Sequence, residues 1–126
     1  MVRVGDVLCL IDPYQLKDLS MLHELKRYEA HPGKADALRA RFIAVTVPIF
    51  KRLGINVLHF WTSPQEPGAM YYLVEFPDDA ARTAAWAAFG ADAQWKAAKS
   101  SSEAGGPLLA SQTTVLLEPQ SVDATR

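Results

Sequence analysis

The sequence predicts an α+β domain in which a strand–helix–strand unit occurs twice. Three observations carry this. Four short segments rich in β-branched and aromatic residues lie at 22–30, 55–63, 70–76 and 110–117. Two segments of helical periodicity, 34–53 and 79–98, follow the first and the third of them. Proline and glycine punctuate the boundaries, at Pro32-Gly33, Gly54, Pro64, Pro67-Gly68, Pro77 and Gly105-Gly106-Pro107. A chain of 126 residues, 49% hydrophobic and 21% charged, suits one such domain with a packed core.

Residues 1–20 read as an N-terminal arm. Val2, Val4 and Val7–Ile11 form one short strand ended by Asp12-Pro13, with a helical turn over 14–20. The domain proper is expected over 21–119, with a frayed tail at 120–126. Leu22–Ala30 reads as a strand with His23, Leu25 and Arg27 on one face and Glu24, Lys26 and Tyr28 on the other. From Lys34 to Leu53, the residues Leu38, Phe42, Val45, Ile49 and Leu53 make one apolar helical stripe. Pro48 lacks a donor and crowds the preceding turn, which predicts a kink or break near Thr46. Gly54 supplies the stop.

Ile55–Ser63 reads as a strand with Ile55, Val57, His59 and Trp61 on one face. A turn over Pro64, Pro67 and Gly68 leads to Met70–Phe76, where Met70, Tyr72, Val74 and Phe76 share a face. Asp78 is placed to cap a helix running to Phe89, and Ala81, Ala84, Ala85 and Ala88 let it approach a sheet. Gly90 interrupts that helix, Asp92 caps a second piece through Ala98, and Ser100–Pro107 reads as a loop before the last strand, Ala110–Leu117. The order strand, helix, strand, strand, helix, strand is the ferredoxin-like βαββαβ arrangement, an antiparallel sheet with helices on one face. Tyr28, Trp61, Tyr72 and mixed polar strand positions predict that the bare face is covered by a second sheet, in a homodimer.

Thirteen basic residues balance fourteen acidic ones, for a net charge of −1 without long runs of either sign. That argues against nucleic acid and anionic membrane surfaces as general partners. No apolar stretch approaches the ~20 residues of a membrane span. The single cysteine, Cys9, excludes an internal disulfide and reads as a buried inert thiol, and the N-terminus is not a convincing signal peptide. A cytoplasmic location is the default. His23, His31 and His59 do not form a spaced ligand set, so no metal is expected. Gly105-Gly106-Pro107 neither follows a strand nor opens a helix, so it lacks the context of a phosphate cradle. No Gly-x-Ser-x-Gly elbow is present.

His23-Glu24-Leu25-Lys26-Arg27-Tyr28 with Pro32-Gly33-Lys34, then Phe60-Trp61-Thr62, Tyr72-Leu73-Val74-Glu75-Phe76 and Asp92-Ala93-Gln94-Trp95, follow one another over about a hundred residues. In order and spacing they resemble the NIPSNAP family of the dimeric α+β barrel superfamily. The chain departs from that pattern at His23, where an aromatic is common, at Lys26, where arginine is preferred, and at Tyr72, where many members carry histidine. Lysine lacks the planar two-pronged contact of arginine.

His59 draws interest because imidazole titrates near neutral pH. His23 and Arg27 share a strand face and could bind a carboxylate or phenolate. A pocket between sheet and helices, lined by Trp61, Tyr72 and Trp95 with His59, would suit a flat, largely apolar ligand with one polar handle. The resemblance implies a small-molecule enzyme without a tightly bound cofactor, of the cofactor-independent monooxygenase, isomerase or cyclase kind. It would act by acid–base or oxygen chemistry on an aromatic or polyketide-like substrate in a biosynthetic pathway. On that reading His59, Tyr72 and Arg27 move protons, and His23, Tyr28, Trp61 and Trp95 bind substrate. The alternative is a non-catalytic dimeric module that binds a ligand or partner protein.

Overall fold

Four strands hydrogen-bond into one antiparallel sheet in the order β2-β3-β1-β4. They are β1 (Leu22–Ala30), β2 (Asn56–Ser63), β3 (Glu66–Phe76) and β4 (Leu109–Leu117). This computed structural model describes residues 21–122; the expected arm strand and Cys9 lie outside the described residues. β2 and β3 form a hairpin around Pro64-Gln65, and β1 inserts between β3 and β4. That is the ferredoxin-like topology, as the order of elements implies.

The helices cover one face. α1 (Ala35–Arg41) runs into a π-helical turn (Phe42–Thr46) and on into α2 (Val47–Arg52). The expected break before Pro48 is therefore a change of register in a helix that continues. The Val47 N–H donates to the carbonyl of Phe42, five residues back, and Pro48 sits in the first turn of α2, where its missing donor matters least. The extra residue alters the buried stripe. Leu38, Arg41, Phe42, Thr46, Ile49 and Phe50 are buried, while Val45 and Leu53 are only half-buried.

α3 (Asp79–Ala91) and α4 (Ala93–Ser102) complete the layer. Each begins at an aspartate that accepts from the backbone N–H three residues on: Asp78 from Ala81 and Asp92 from Trp95. Gly90 does not interrupt α3, which continues to Ala91, and α4 reaches Ser102, so the start of the expected 100–107 loop is helical.

The core lies between this layer and the sheet face carrying Met70, Tyr72, Val74 and Phe76 of β3. Phe42 packs on Tyr72 at a ring distance of 4.6 Å, and Phe50 meets Trp86 at 5.5 Å and Phe89 at 4.9 Å. Burying each such ring contributes roughly 1.5–3 kcal/mol. Glu24 of β1 is buried in the same layer, with no exposed surface. It accepts from the Trp86 indole N–H at 2.8 Å and pairs with Lys26 at 2.9 Å and Arg82 at 3.5 Å. Lys26 also lies over the Trp86 ring and donates to the Thr114 hydroxyl.

One sequence expectation about faces is corrected here. β2 carries a bulge between Val57 and His59, so Val57 pairs with Val74 while His59 pairs with Leu73. Val57 and Phe60 therefore face the helices, and His59 and Trp61 face the bare side.

Candidate functional site

The sheet separates the predicted site residues into two groups. On the bare face lie His23, Arg27, His59 and Trp61. His59 and Trp61 are exposed and stack on each other at 5.3 Å. His23 is 3.4 Å from Glu75, which also accepts from Asn56. Arg27 donates to Glu29 at 2.7 Å and to the Tyr71 hydroxyl at 3.2 Å; that hydroxyl in turn donates to Glu66. The Tyr71 hydroxyl, then Arg27, hold the Glu66 carboxyl below its ordinary value. On the helix side lie Tyr28, Tyr72 and Trp95. The expected pocket combining His59 and Trp61 with Tyr72 and Trp95 does not form, because the β2 bulge turns the first two away.

A cavity of about 190 Å³ lies instead between sheet and helices. The sequence places it there by setting the π-turn against α4 and the Tyr72 ring: Phe42 and Thr46, at the two ends of that turn, form its wall with Leu38. Phe89 and Trp95, stacked at 4.7 Å, close the side under α3 and α4. β1 contributes Tyr28 and β4 contributes Leu109 and Gln112. Arg41 and Lys99 supply charge. A larger groove of about 550 Å³, lined by Met21, Leu22, Leu116 and three acidic side chains, is open to solvent and converges on no proton donor.

Tyr28 lines the cavity, and its hydroxyl is bonded to that of Tyr72, which is buried behind it. The Tyr28 and Tyr72 hydroxyls are 2.7 Å apart, with their rings edge to face at 5.2 Å. Burial pushes the Tyr72 hydroxyl well above its ordinary value, and neighbouring Tyr28 adds to the rise. Burial also raises Tyr28, but the Tyr72 hydroxyl and the charge of Arg41 both pull it back. Either hydroxyl can donate in the shared bond; with Tyr72 donating, Tyr28 keeps its own proton for the cavity. Two donors in series polarise each other, so the outer one donates more strongly than a lone phenol.

Arg41 is fixed. It donates to Glu103 at 2.7 Å and to Ser102 at 3.1 Å, and lies over the Trp95 ring at 5.0 Å. Arg41, ahead of the charge of Lys99, holds the Glu103 carboxyl below its ordinary value. A carboxyl lowered in the folded state binds fewer protons than in the unfolded chain, so its contribution is complete above the unfolded value, roughly pH 4.3. It is lost as pH falls through the folded value. Acid titration of thermal stability from pH 6 to pH 3 is expected to show a smaller loss in Glu103→Gln than in the parent, and an identical slope would contradict the pairing.

Sequence reasoning missed Arg41, Thr46, Phe89, Lys99 and Gln112. Arg41 and Thr46 did leave a signal, as polar residues three and eight positions after Leu38 on a core-facing helix. Among the described residues, no group of His, Cys, Asp or Glu is placed to hold a metal ion. No described helix is long and apolar enough to cross a membrane.

The sequence model of the NIPSNAP family matches residues 23–121. The chain belongs to the NIPSNAP family. Solved structures agree on the fold. This NIPSNAP chain is similar to an uncharacterised NIPSNAP-like domain protein from Burkholderia xenovorans, with 19% identity, a TM-score of 0.70, and coverage of 82% of this chain and 89% of that one. A NIPSNAP family protein from Agrobacterium tumefaciens superposes with a TM-score of 0.70 at 16% identity, covering 84% and 99% of the two chains. A Chloroflexus aurantiacus protein provisionally named an antibiotic biosynthesis monooxygenase superposes with a TM-score of 0.54 at 19% identity, over 83% and 98%. No curated protein sequence matches the chain.

Proposed function

We propose that this NIPSNAP protein is a small-molecule enzyme without a tightly bound cofactor, whose site is the cavity between sheet and helices. The observation that carries the reading is the Tyr72–Tyr28 hydroxyl pair, a preorganised proton donor whose Tyr28 member lines a chamber walled by Leu38, Phe42, Phe89, Trp95 and Leu109, with Arg41 and Lys99 as its charges. An apolar cavity of about 150 Å³ is large enough to bind benzene. One of 190 Å³ therefore suits a single ring with small substituents.

The donor pair stabilises negative charge on a ligand oxygen. The lining contains no carboxylate or imidazole to act as base, so the substrate enters already ionised, as a phenolate or enolate. Two reaction classes follow. In one, Tyr28 gives its proton to the enolate carbon, forming the keto tautomer, and the tyrosinate left behind takes a proton from solvent. In the other, the substrate carbanion adds dioxygen, the resulting peroxide is protonated, and loss of water leaves a carbonyl. The likeness in fold to the Chloroflexus protein favours the second. The absence of a base from the lining favours a different reading, a ligand-binding module without turnover.

One experiment separates these. Purified metal-free protein is titrated with phenols and 1,3-dicarbonyls while tryptophan fluorescence, product formation and oxygen consumption are followed. Saturable quenching with turnover supports the enzyme, and saturable quenching without it supports the binding module. No quenching by any ring-sized anion would remove the cavity as a ligand site.

The bare sheet face fits a homodimer of this chain. Trp61, Val115 and Leu117 are exposed there beside half-buried Leu25 and Leu73, a contiguous apolar surface that an isolated monomer rarely leaves to water. Sedimentation is expected to give twice the monomer mass, and Leu73→Asp to restore the monomer. A parent sedimenting as a monomer would dispose of the dimer.

A further inference from the structure

We infer that the cavity selects a ligand carrying a carboxylate, read at the cavity rim by the Lys99 ammonium; small aromatic or enolic acids, rather than neutral rings, are the class it takes. The inference rests on the cavity being a small-molecule site, and it adds what that reading leaves open, the charge and second functional group of the ligand.

The cavity carries an unbalanced positive charge. Of the residues lining the cavity, Arg41 and Lys99 are charged, both positively, and no acid lines it. Glu103, just outside, is the one carboxylate paired with them among the described residues. Its Oε2 is 2.7 Å from Arg41, whose Nη1 also reaches the Ser102 hydroxyl at 3.1 Å, so the guanidinium is matched and held. Lys99 lies 3.6 Å from the other oxygen of the same Glu103, and its side chain is 54% exposed. Two cations against one carboxylate leave one positive charge, and the distances assign it to Lys99. A pair so long and so wet contributes little, and its ammonium is free to exchange partners.

Position makes that charge useful. The residues of the closed wall, Leu38, Phe42 and Thr46, are buried, whereas Lys99 and Gln112 are exposed. The cavity therefore opens on the Lys99 side. A ring entering there places one oxygen at the Tyr28 donor and a substituent at the rim. A carboxylate in that substituent meets the uncompensated ammonium, with the Gln112 amide available to donate as well. A neutral substituent can accept the hydrogen bonds but gains no charge pair.

The test uses two probes of equal shape, 4-hydroxybenzoate and 4-hydroxybenzamide, titrated into the full chain and into Lys99→Gln and Lys99→Glu. Lys99 is a surface residue, and circular dichroism checks that each variant keeps the fold. The acid is expected to bind about fivefold more tightly than the amide at low salt, as one partly screened charge pair allows. Lys99→Gln is expected to abolish that preference and Lys99→Glu to reverse it, with the amide's affinity changing much less than the acid's. A wild type that does not distinguish the probes, or a preference that survives in Lys99→Gln, would overturn the inference while leaving the cavity as a ligand site. Binding of neither probe would overturn both.

Discussion

Tyr28→Phe is expected to weaken binding of a phenolate ligand about ten- to hundredfold. A hydrogen bond to a charged oxygen is worth roughly 1.5–3 kcal/mol, and this substitution removes the donor that faces the cavity. Tyr72→Phe leaves that donor in place and removes only the group that polarises it, so its effect on binding is expected to be smaller. Stability should follow the same order. Tyr72 has no exposed surface, so losing its acceptor strands a buried hydroxyl, at a cost of about 1–3 kcal/mol. Tyr28 is half-buried beside the cavity and finds water when Tyr72 is removed. Calorimetric titration and thermal melts of the two variants check both orders. Equal effects on binding would contradict the direction of the shared bond, and unchanged binding in Tyr28→Phe would exclude the pair from the site.

Glu24→Ala is expected to destabilise the domain by about 3–5 kcal/mol. The carboxylate is wholly buried and stands between two cations, Lys26 at 2.9 Å and Arg82 at 3.5 Å, while accepting from Trp86. Its removal leaves Lys26, itself only 12% exposed, without a counter-charge. In a domain of this size a loss of 1 kcal/mol lowers the melting temperature by about 4–8 °C, so the variant should melt well over 10 °C below the parent or fail to accumulate. Glu24→Gln keeps an acceptor for the indole but not the charge. It should fall between parent and Glu24→Ala. A melting temperature for Glu24→Ala within a few degrees of the parent would show that the cluster is solvated rather than buried.

Much of the scaffold was legible because local chemistry agreed with the fold. Asp78 and Asp92 marked two helix starts, Pro32-Gly33 ended β1, and the alternation in 70–76 grouped Met70, Tyr72, Val74 and Phe76 on one face, although Tyr28 and Tyr72 were expected on the bare side and lie under the helices. Boundaries were looser. β3 begins at Glu66, because Pro67 and Gly68 lie in an irregular stretch of the strand instead of a turn.

The site was harder to read for two physical reasons. A bulge shifts every later side chain in its strand to the opposite face, and nothing in Val57-Leu58-His59 announces one; hence His59 and Trp61 were expected in the pocket and lie behind it. The decisive pair, Tyr28 and Tyr72, is separated by 44 residues and meets only because β1 lies beside β3. Both tyrosines were visible as candidates, but their contact is a property of the sheet.

The π-turn at Phe42–Thr46 makes the chamber adjustable. In a regular helix, deleting one residue rotates everything beyond it by about 100° and unseats half of the core. Here the surplus residue is already accommodated locally, between Leu38 and Phe42 on one side and Ile49 and Phe50 on the other. Excising one position from the outward-facing Ile43-Ala44 pair would return the turn to ordinary pitch while both anchored halves stay docked. Related proteins thus have a way to redraw the wall of the chamber, and so the size of what it admits, by a single codon and without rebuilding the rest of the domain.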